Sequence, residues 1–178
     1  MDLKKKIRTV PDWPKKGVMF KDITTLLKDA NALSFAMSEM VNYCIENEIH
    51  ADKIVAAEAR GFIFGSILAH ELHVGFVPVR KPGKLPSKTV RQEFETEYST
   101  GSFEMHADAL NHGDSVIIVD DLLATGGTAL AAARLVESQG ATVKSFCFLV
   151  SLKFLKGREK LEKAGYKVFS LVDYEKEE

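Results

Sequence analysis

The sequence has 178 residues, 46% of them apolar and 28% charged, with 12 Gly and 5 Pro. A chain of this size buries roughly 70% of its unfolded surface around one core, so a single domain is expected. Basic residues number 24 against 25 acidic ones, a formal net charge of -1; no global field favours nucleic acid or an anionic membrane, and any anion site has to be local.

In chain order, Lys4, Lys5, Lys6 and Arg8 are followed by Pro11, Asp12, Trp13 and Pro14, where a signal peptide would need its apolar stretch. Leu33, Met37, Met40, Val41 and Cys44 recur at helical spacing, predicting an amphipathic helix over 31–45, with Asp29 or Asn31 as its cap. Residues 54–57 read as a short buried strand, and Gly61 leads into a buried helix over 62–73. After Gly75, residues 76–80 form a strand whose interior Pro78 favours a sheet edge.

Residues 81–100 contain Pro82, Gly83 and Pro86 with many charges and no sustained apolar period. They read as an excursion from the core, of the kind that in a compact domain is functional or disordered. The unbroken apolar run 116–119 predicts a strand covered on both faces, and 128–139 a helix closed by Gly140. A strand over 143–150, a helix over 154–164, a last strand over 166–172 and a solvated acidic tail over 173–178 complete the reading. Alternating strands and helices with short connections predict an α/β fold, a mostly parallel twisted sheet flanked by helices. In such folds chemistry belongs at the strand-to-helix turns.

No apolar run approaches the 18 or more uncharged residues of a membrane span. Cys44 and Cys147 lie in apolar stretches without a Cys-x-x-Cys, and the five histidines (His50, His70, His73, His106, His112) make no ligand spacing. All five read as structural or surface residues. The expectation is a soluble, cytoplasmic protein with no nucleic-acid or membrane partner.

The most informative stretch runs from Val116 to Thr128. A buried strand delivers Asp120 and Asp121 to its end, and Leu122 and Leu123 lead to Ala124, Thr125, Gly126, Gly127 and Thr128, which open a helix. The Gly pair lets backbone N–H groups approach an anion, the helix N-terminus adds partial positive charge, and the two Thr supply hydroxyls. This is a phosphate cradle. The acids would repel a phosphate, so they suit sugar hydroxyls, a divalent metal or both, and the ligand implied is a sugar phosphate. A bare acid pair before a Gly pair is more often just a strand end and a turn; the whole ordered pattern is more specific. Neither the Gly-x-x-x-x-Gly-Lys-Ser/Thr of a P-loop nor a Gly-x-Gly-x-x-Gly fingerprint is present.

The stretch resembles the binding motif of the type I phosphoribosyltransferases, which use 5-phosphoribosyl 1-diphosphate. The resemblance implies that Asp120 and Asp121 hold the ribose 2- and 3-hydroxyls, assisted by Mg2+ carried mainly by the substrate, and that residues 124–128 hold the 5-phosphate. Three further segments resemble the adenine-using branch of that family, so that the likeness covers nearly the whole chain. Residues 11–24, within an N-terminal element spanning 1–28, resemble its base-covering segment. Glu58-Ala59-Arg60-Gly61-Phe62 resembles its diphosphate loop, and Arg80-Lys81-Pro82-Gly83-Lys84-Leu85-Pro86 with Glu97-Tyr98 resembles its mobile catalytic loop, 81–100.

By this resemblance Glu58, Ala59, Arg60, Arg80, Lys81 and Lys84 form the diphosphate site. Arg60 offers a planar fork of donors, although a lone Arg would more often pair with Glu58 or another acid. In the family the peptide before Ala59 is often strained or cis. Between Arg80 and Arg91 stand five cations, which also include Lys81, Lys84 and Lys88, and no acid. They suit closure over a leaving group whose charge develops in the transition state. Phe20 and Leu122 would sandwich the base, with backbone groups at Met19 and Lys21 reading its edge. Glu97 would take the proton that a purine nitrogen loses on attacking C1, and Tyr98 would bond a leaving-group oxygen. The loop departs from the family pattern at Phe94, Thr96 and Ser99, where Tyr, Leu and Gly are common.

The activity implied is transfer of phosphoribosyl to adenine, giving AMP and diphosphate, by a homodimer with no organic cofactor. Two rivals remain at this stage. One is an enzyme acting on hypoxanthine, guanine or xanthine, which would read its base from a Lys and an aromatic such as Lys144 with Phe146 or Phe148. The other is a non-catalytic regulator that keeps the pocket as a sensor.

Overall fold

The computed structural model describes residues 1–95 and 100–177. Its centre is a five-stranded, wholly parallel sheet of β3 (Lys53–Ala57), β4 (Gly75–Val79), β7 (Ser115–Leu123), β8 (Thr142–Leu152) and β9 (Val168–Tyr174). The strands lie in the order β4-β3-β7-β8-β9, so the chain runs outward in one direction from β3 and in the other from β7. The point of reversal between β3 and β7 is where ligands of open α/β sheets bind, beyond the strand ends. Pro78 sits on the edge strand β4, where its missing N–H costs no ladder bond on the outer side.

Alternation along the strands feeds two cores. Ile54, Ala56, Ile117, Val119, Cys147 and Leu149 face α2 (Ala30–Glu46) and α3 (Gly61–Glu71); Val55, Ala57, Val116, Ile118, Phe146 and Phe148 face α4 (Gly127–Ser138) and α5 (Gly157–Lys163). The expected helix over 31–45 is α2. Asp29 caps it, its carboxylate accepting from the Asn31 and Ala32 amides at 3.1 Å each, and Met37, Met40 and Cys44 are buried beneath it. Tyr43 fastens the helix to the sheet, stacking on Phe169 at 4.1 Å and sharing a 3.0 Å hydrogen bond with the Ser145 hydroxyl. In α4, Ala129, Ala131, Ala132 and Ala133 are all buried, and their small side chains let the helix lie close to β7 and β8.

Two small hairpins stand outside the sheet: β1 (Arg8–Pro11) with β2 (Met19–Asp22), and β5 (Thr89–Glu95) with β6 (Thr100–His106). The single turn α1 (Thr24–Leu27) joins the first of them to α2. The second corrects the expectation that this segment is an excursion from the core. Val90 and Phe94 pack against the α4-side core, and Phe94 lies 4.9 Å from Phe103, so this strand has an apolar face that its charges conceal.

Two other expectations change. The helix over 154–164 is a 3-10 turn at residues 153–155 and then α5, separated by Lys156 in a left-handed conformation at φ 60°. The acidic tail starts later than expected, because Asp173 and Tyr174 belong to β9; Tyr174 is 3% exposed, and Asp173 pairs with Lys153 at 3.0 Å.

Candidate active site

The end of β7, the turn after β3 and the β5–β6 hairpin enclose a cleft of about 600 Å³ at the sheet's reversal point. Its walls are Glu58, Ala59, Arg60, Lys81, Phe94, Phe103, Asp120, Asp121, Leu122, Ala124, Thr125 and Thr128. The acid pair, the Arg of the first turn and the small-residue loop therefore converge from segments more than fifty residues apart.

The electrostatics of the acid pair follow from burial. Asp121 is 6% exposed, and its carboxylate meets Arg60 Nε at 2.6 Å. Desolvation raises the Asp121 carboxyl above the usual carboxylate range, with the Arg60 charge opposing the rise. The Asp120 carboxyl is pushed well above that range, first by burial and then by the adjacent Asp121 charge, although its Oδ1 accepts from the Asp121 amide at 2.9 Å. Gly61 makes this proximity feasible. A Cβ there would lie 2.8 Å from Asp120 Oδ1 and 3.1 Å from the Val119 carbonyl oxygen, so only glycine lets α3 begin so close to β7.

The turn after β3 contains a cis peptide between Glu58 and Ala59, as the resemblance led us to expect. The pairing of its charges differs from the simplest sequence reading. Arg60 pairs with Asp121, and Glu58 is taken by the next strand: its carboxylate accepts from the Lys81 amide and from Arg80 Nη2, the latter at 3.4 Å. Arg80 Nη1 also donates to the Lys84 carbonyl at 3.2 Å. The Arg80 guanidinium thus braces the start of the loop against Glu58, and Lys81 is the loop cation that lines the cleft. Lys84 is exposed and outside the cleft wall. Glu97 and Tyr98 lie outside the described residues.

At the far end, Gly126 takes φ 81° as the cap before α4, Gly127 is the first residue of the helix, and Ala124, Thr125 and Thr128 line the cleft on either side of them. The N-terminal hairpin reaches the other side of Arg60, whose guanidinium carbon lies 5.6 Å from the centre of the Phe20 ring. Trp13 meets Phe20 edge-on at 4.3 Å while remaining 51% exposed, so it packs the hairpin only in part. Met19 is half-buried next to Phe20. The Lys21 side chain turns to the opposite face, donating to the Thr9 hydroxyl at 3.0 Å over the Tyr174 ring, which leaves its backbone as the part adjoining Phe20. Leu122 lines the cleft.

The sequence reading missed Phe94 and Phe103 as cleft walls, since their alternation in a charged hairpin is only a weak strand signal. It also missed Gly61 as a spacer, although a glycine directly after Arg60 was visible.

Comparison with known proteins converges on the same assignment. Residues 24–177 match the model of the phosphoribosyl transferase domain. An adenine phosphoribosyltransferase from Prosthecochloris aestuarii is 53% identical over 175 residues, covering 98% of this chain and 99% of the relative. The chain belongs to the adenine phosphoribosyltransferase family.

The solved structures agree with that membership. The family's structure from Thermoanaerobacter pseudethanolicus superposes with a TM-score of 0.91 at 54% identity, covering 97% of this chain and 98% of the other. The Saccharomyces cerevisiae structure, complexed with an imino-altritol bisphosphate and adenine, superposes with a TM-score of 0.89 at 40% identity, covering 95% of this chain and 96% of the other. The α/β architecture is that of type I phosphoribosyltransferases. These relatives are named for adenine, and none of them for a 6-oxopurine base or for regulation.

Proposed function

We propose that this chain joins adenine to C1 of 5-phosphoribosyl 1-diphosphate, forming a C–N bond as the C–O bond to diphosphate breaks, with inversion at C1. The products are AMP and diphosphate, so the reaction salvages a free base. One observation carries the reading: the Asp120–Asp121 pair and the 124–128 loop flank a single cleft with Arg60, in a chain 53% identical to a named adenine enzyme.

Within the cleft, Ala124, Thr125, Gly126, Gly127 and Thr128 bind the 5-phosphate through backbone N–H groups and hydroxyls at the start of α4. Asp120 and Asp121 accept hydrogen bonds from the ribose hydroxyls. Phe20 and Leu122 cover the faces of adenine, and the Met19 and Lys21 backbone reads its edge. Ala59, Arg60 and Lys81 hold the diphosphate, with Glu58 and Arg80 fixing the loop that carries Lys81 and Lys84. Glu97 accepts the proton displaced from the purine nitrogen, and Tyr98 bonds the leaving group. With a loose transition state, most of the rate comes from positioning both substrates, spreading the developing charge over these cations and excluding water that would hydrolyse the donor.

The donor set also suits Mg2+. Asp120 stands beside the buried Asp121, whose carboxylate meets the one guanidinium, yet among the described residues no group of three or more His, Cys, Asp and Glu can hold a metal. A magnesium ion here would keep waters and take most of its ligands from substrate oxygens, near Asp120 and Asp121, adding charge neutralisation at the diphosphate. The enzyme acts as a cytoplasmic homodimer, with neither nucleic acid nor membrane as partner. No helix among the described residues is long and apolar enough to cross a membrane.

An assay of diphosphate release tests the reading. Adenine should support turnover, with hypoxanthine and guanine at least about a hundredfold poorer, because a site built for hydrogen bonds rejects bases that leave its groups unpaired. Equal rates with hypoxanthine would favour the 6-oxopurine alternative, and no release with any base would favour a sensor.

A further inference from the structure

The loop that opens α4 is backed by a second piece of chain. Gly157, the first residue of α5, is buried, and a Cβ built on it would lie 2.1 Å from the Ala124 carbonyl oxygen and 2.9 Å from the Gly126 amide nitrogen. From the other side, a Cβ on Gly126 would stand 3.1 Å from the Gly157 carbonyl oxygen. Two backbones are in direct contact, and the obstructing atoms belong to main chain that cannot swing aside like the tip of a long side chain. At 157 nothing larger than glycine fits.

The contacting turn is tied down at both ends. Arg158 donates through Nη1 to the Val168 carbonyl at 2.8 Å and through Nη2 to the Ser170 hydroxyl, both on β9. At the other end, Lys153 pairs with Asp173 at 3.0 Å and with Glu175 at 2.8 Å. The left-handed Lys156 lets the chain turn sharply between these anchors.

We propose that residues 153–158 are a positioning element for the phosphate loop, with Gly157 as the contact and Arg158 as the anchor; this rests on the reading that residues 124–128 hold the 5-phosphate. A Gly-Gly loop left to itself samples many conformations, and ordering it on binding is costly. Bracing from behind fixes the curvature of the amide nest beforehand, so that less affinity is lost to ordering. Neither Gly157 nor Arg158 lines the cleft, so their effect on ligand passes through the loop.

The test is calorimetry with ribose 5-phosphate and, separately, adenine, on Gly157→Ala and on Arg158→Met, which removes the anchor without crowding the loop. Displacing the loop by a fraction of an ångström should weaken ribose 5-phosphate by about tenfold or more in Gly157→Ala and by about threefold in Arg158→Met, with adenine affinity within about twofold in both. Equal losses for both ligands, or ribose 5-phosphate affinity unchanged in both variants, would overturn the proposal. Should Gly157→Ala fail to fold, Arg158→Met carries the same comparison by itself. Thr125→Ala separates the underlying reading: if this loop variant binds ribose 5-phosphate like the wild type, the 5-phosphate assignment fails, whereas its loss beside unaffected 157 and 158 variants removes only the positioning role.

Discussion

At Asp120 the requirements of folding and of binding oppose each other. Its carboxyl is raised by burial and by Asp121, so folding disfavours its ionised form relative to the unfolded chain, where it is fully solvated. Stability from the protonated form is complete below the unfolded value, near ~4, and is lost as pH rises through the higher folded value. Asp120→Asn should therefore raise Tm at pH 7, and the gain should shrink as the solution is acidified; each kcal/mol gained moves Tm by roughly 2–4 °C. The same variant should bind 5-phosphoribosyl 1-diphosphate about tenfold or more weakly, since a hydrogen bond to a charged acceptor contributes about 1.5–3 kcal/mol. A lower Tm at neutral pH would show that the carboxylate is satisfied in the empty cleft. For Glu97 the account predicts that Glu97→Gln slows turnover and removes one limb of the pH–rate profile, and an unchanged profile would exclude it as the base. The acid pair was legible in the sequence because a strand, two carboxylates and a small-residue loop stand consecutively. The partner of Arg60 was not: register places Ala57 beside Val79, which brings Glu58 to Arg80 and leaves Arg60 to Asp121.

Among the elements, the segment after β4 combines a basic stretch with a hairpin that walls the cleft. Lys84 is exposed and its carbonyl is held by Arg80; the proposed role has its side chain act only when the loop covers substrate. Lys84→Ala should lower kcat by about tenfold or more while AMP affinity stays within about threefold, as expected when a contact forms chiefly in the transition state. Parallel losses in both would reduce the loop to a binding role. The sequence revealed α2 through its apolar periodicity and the buried strands β3 and β7 through unbroken apolar runs. It hid β5, where only Val90 and Phe94 mark the buried face among Arg91, Gln92 and Glu93, and it hid the break before α5, because Lys156 carries no signature of a left-handed residue. The four-residue strands β1 and β2 are too short for a period to emerge.

For the molecule as a whole, the parallel sheet gathers distant segments at one point. β7 occupies the centre of the five strands, flanked by β3 and β8, and carries the acid pair just before its last two residues, Leu122 and Leu123. Phe148 is the β8 partner of Asp120, is 1% exposed and stacks with Phe146 at 5.9 Å. Phe148→Ala should cost about 3–5 kcal/mol in urea unfolding, through lost burial and a cavity under the site. A loss below about 1 kcal/mol would mean that this core collapses freely and does not hold the strand ends in place. The proposed activity depends on the acid pair and the 124–128 loop gripping one sugar phosphate. A crystal structure of the AMP complex decides this: the 5-phosphate should lie against the amides of residues 125–128 with the ribose hydroxyls on Asp120 and Asp121, and a phosphate bound elsewhere with those carboxylates untouched would refute it.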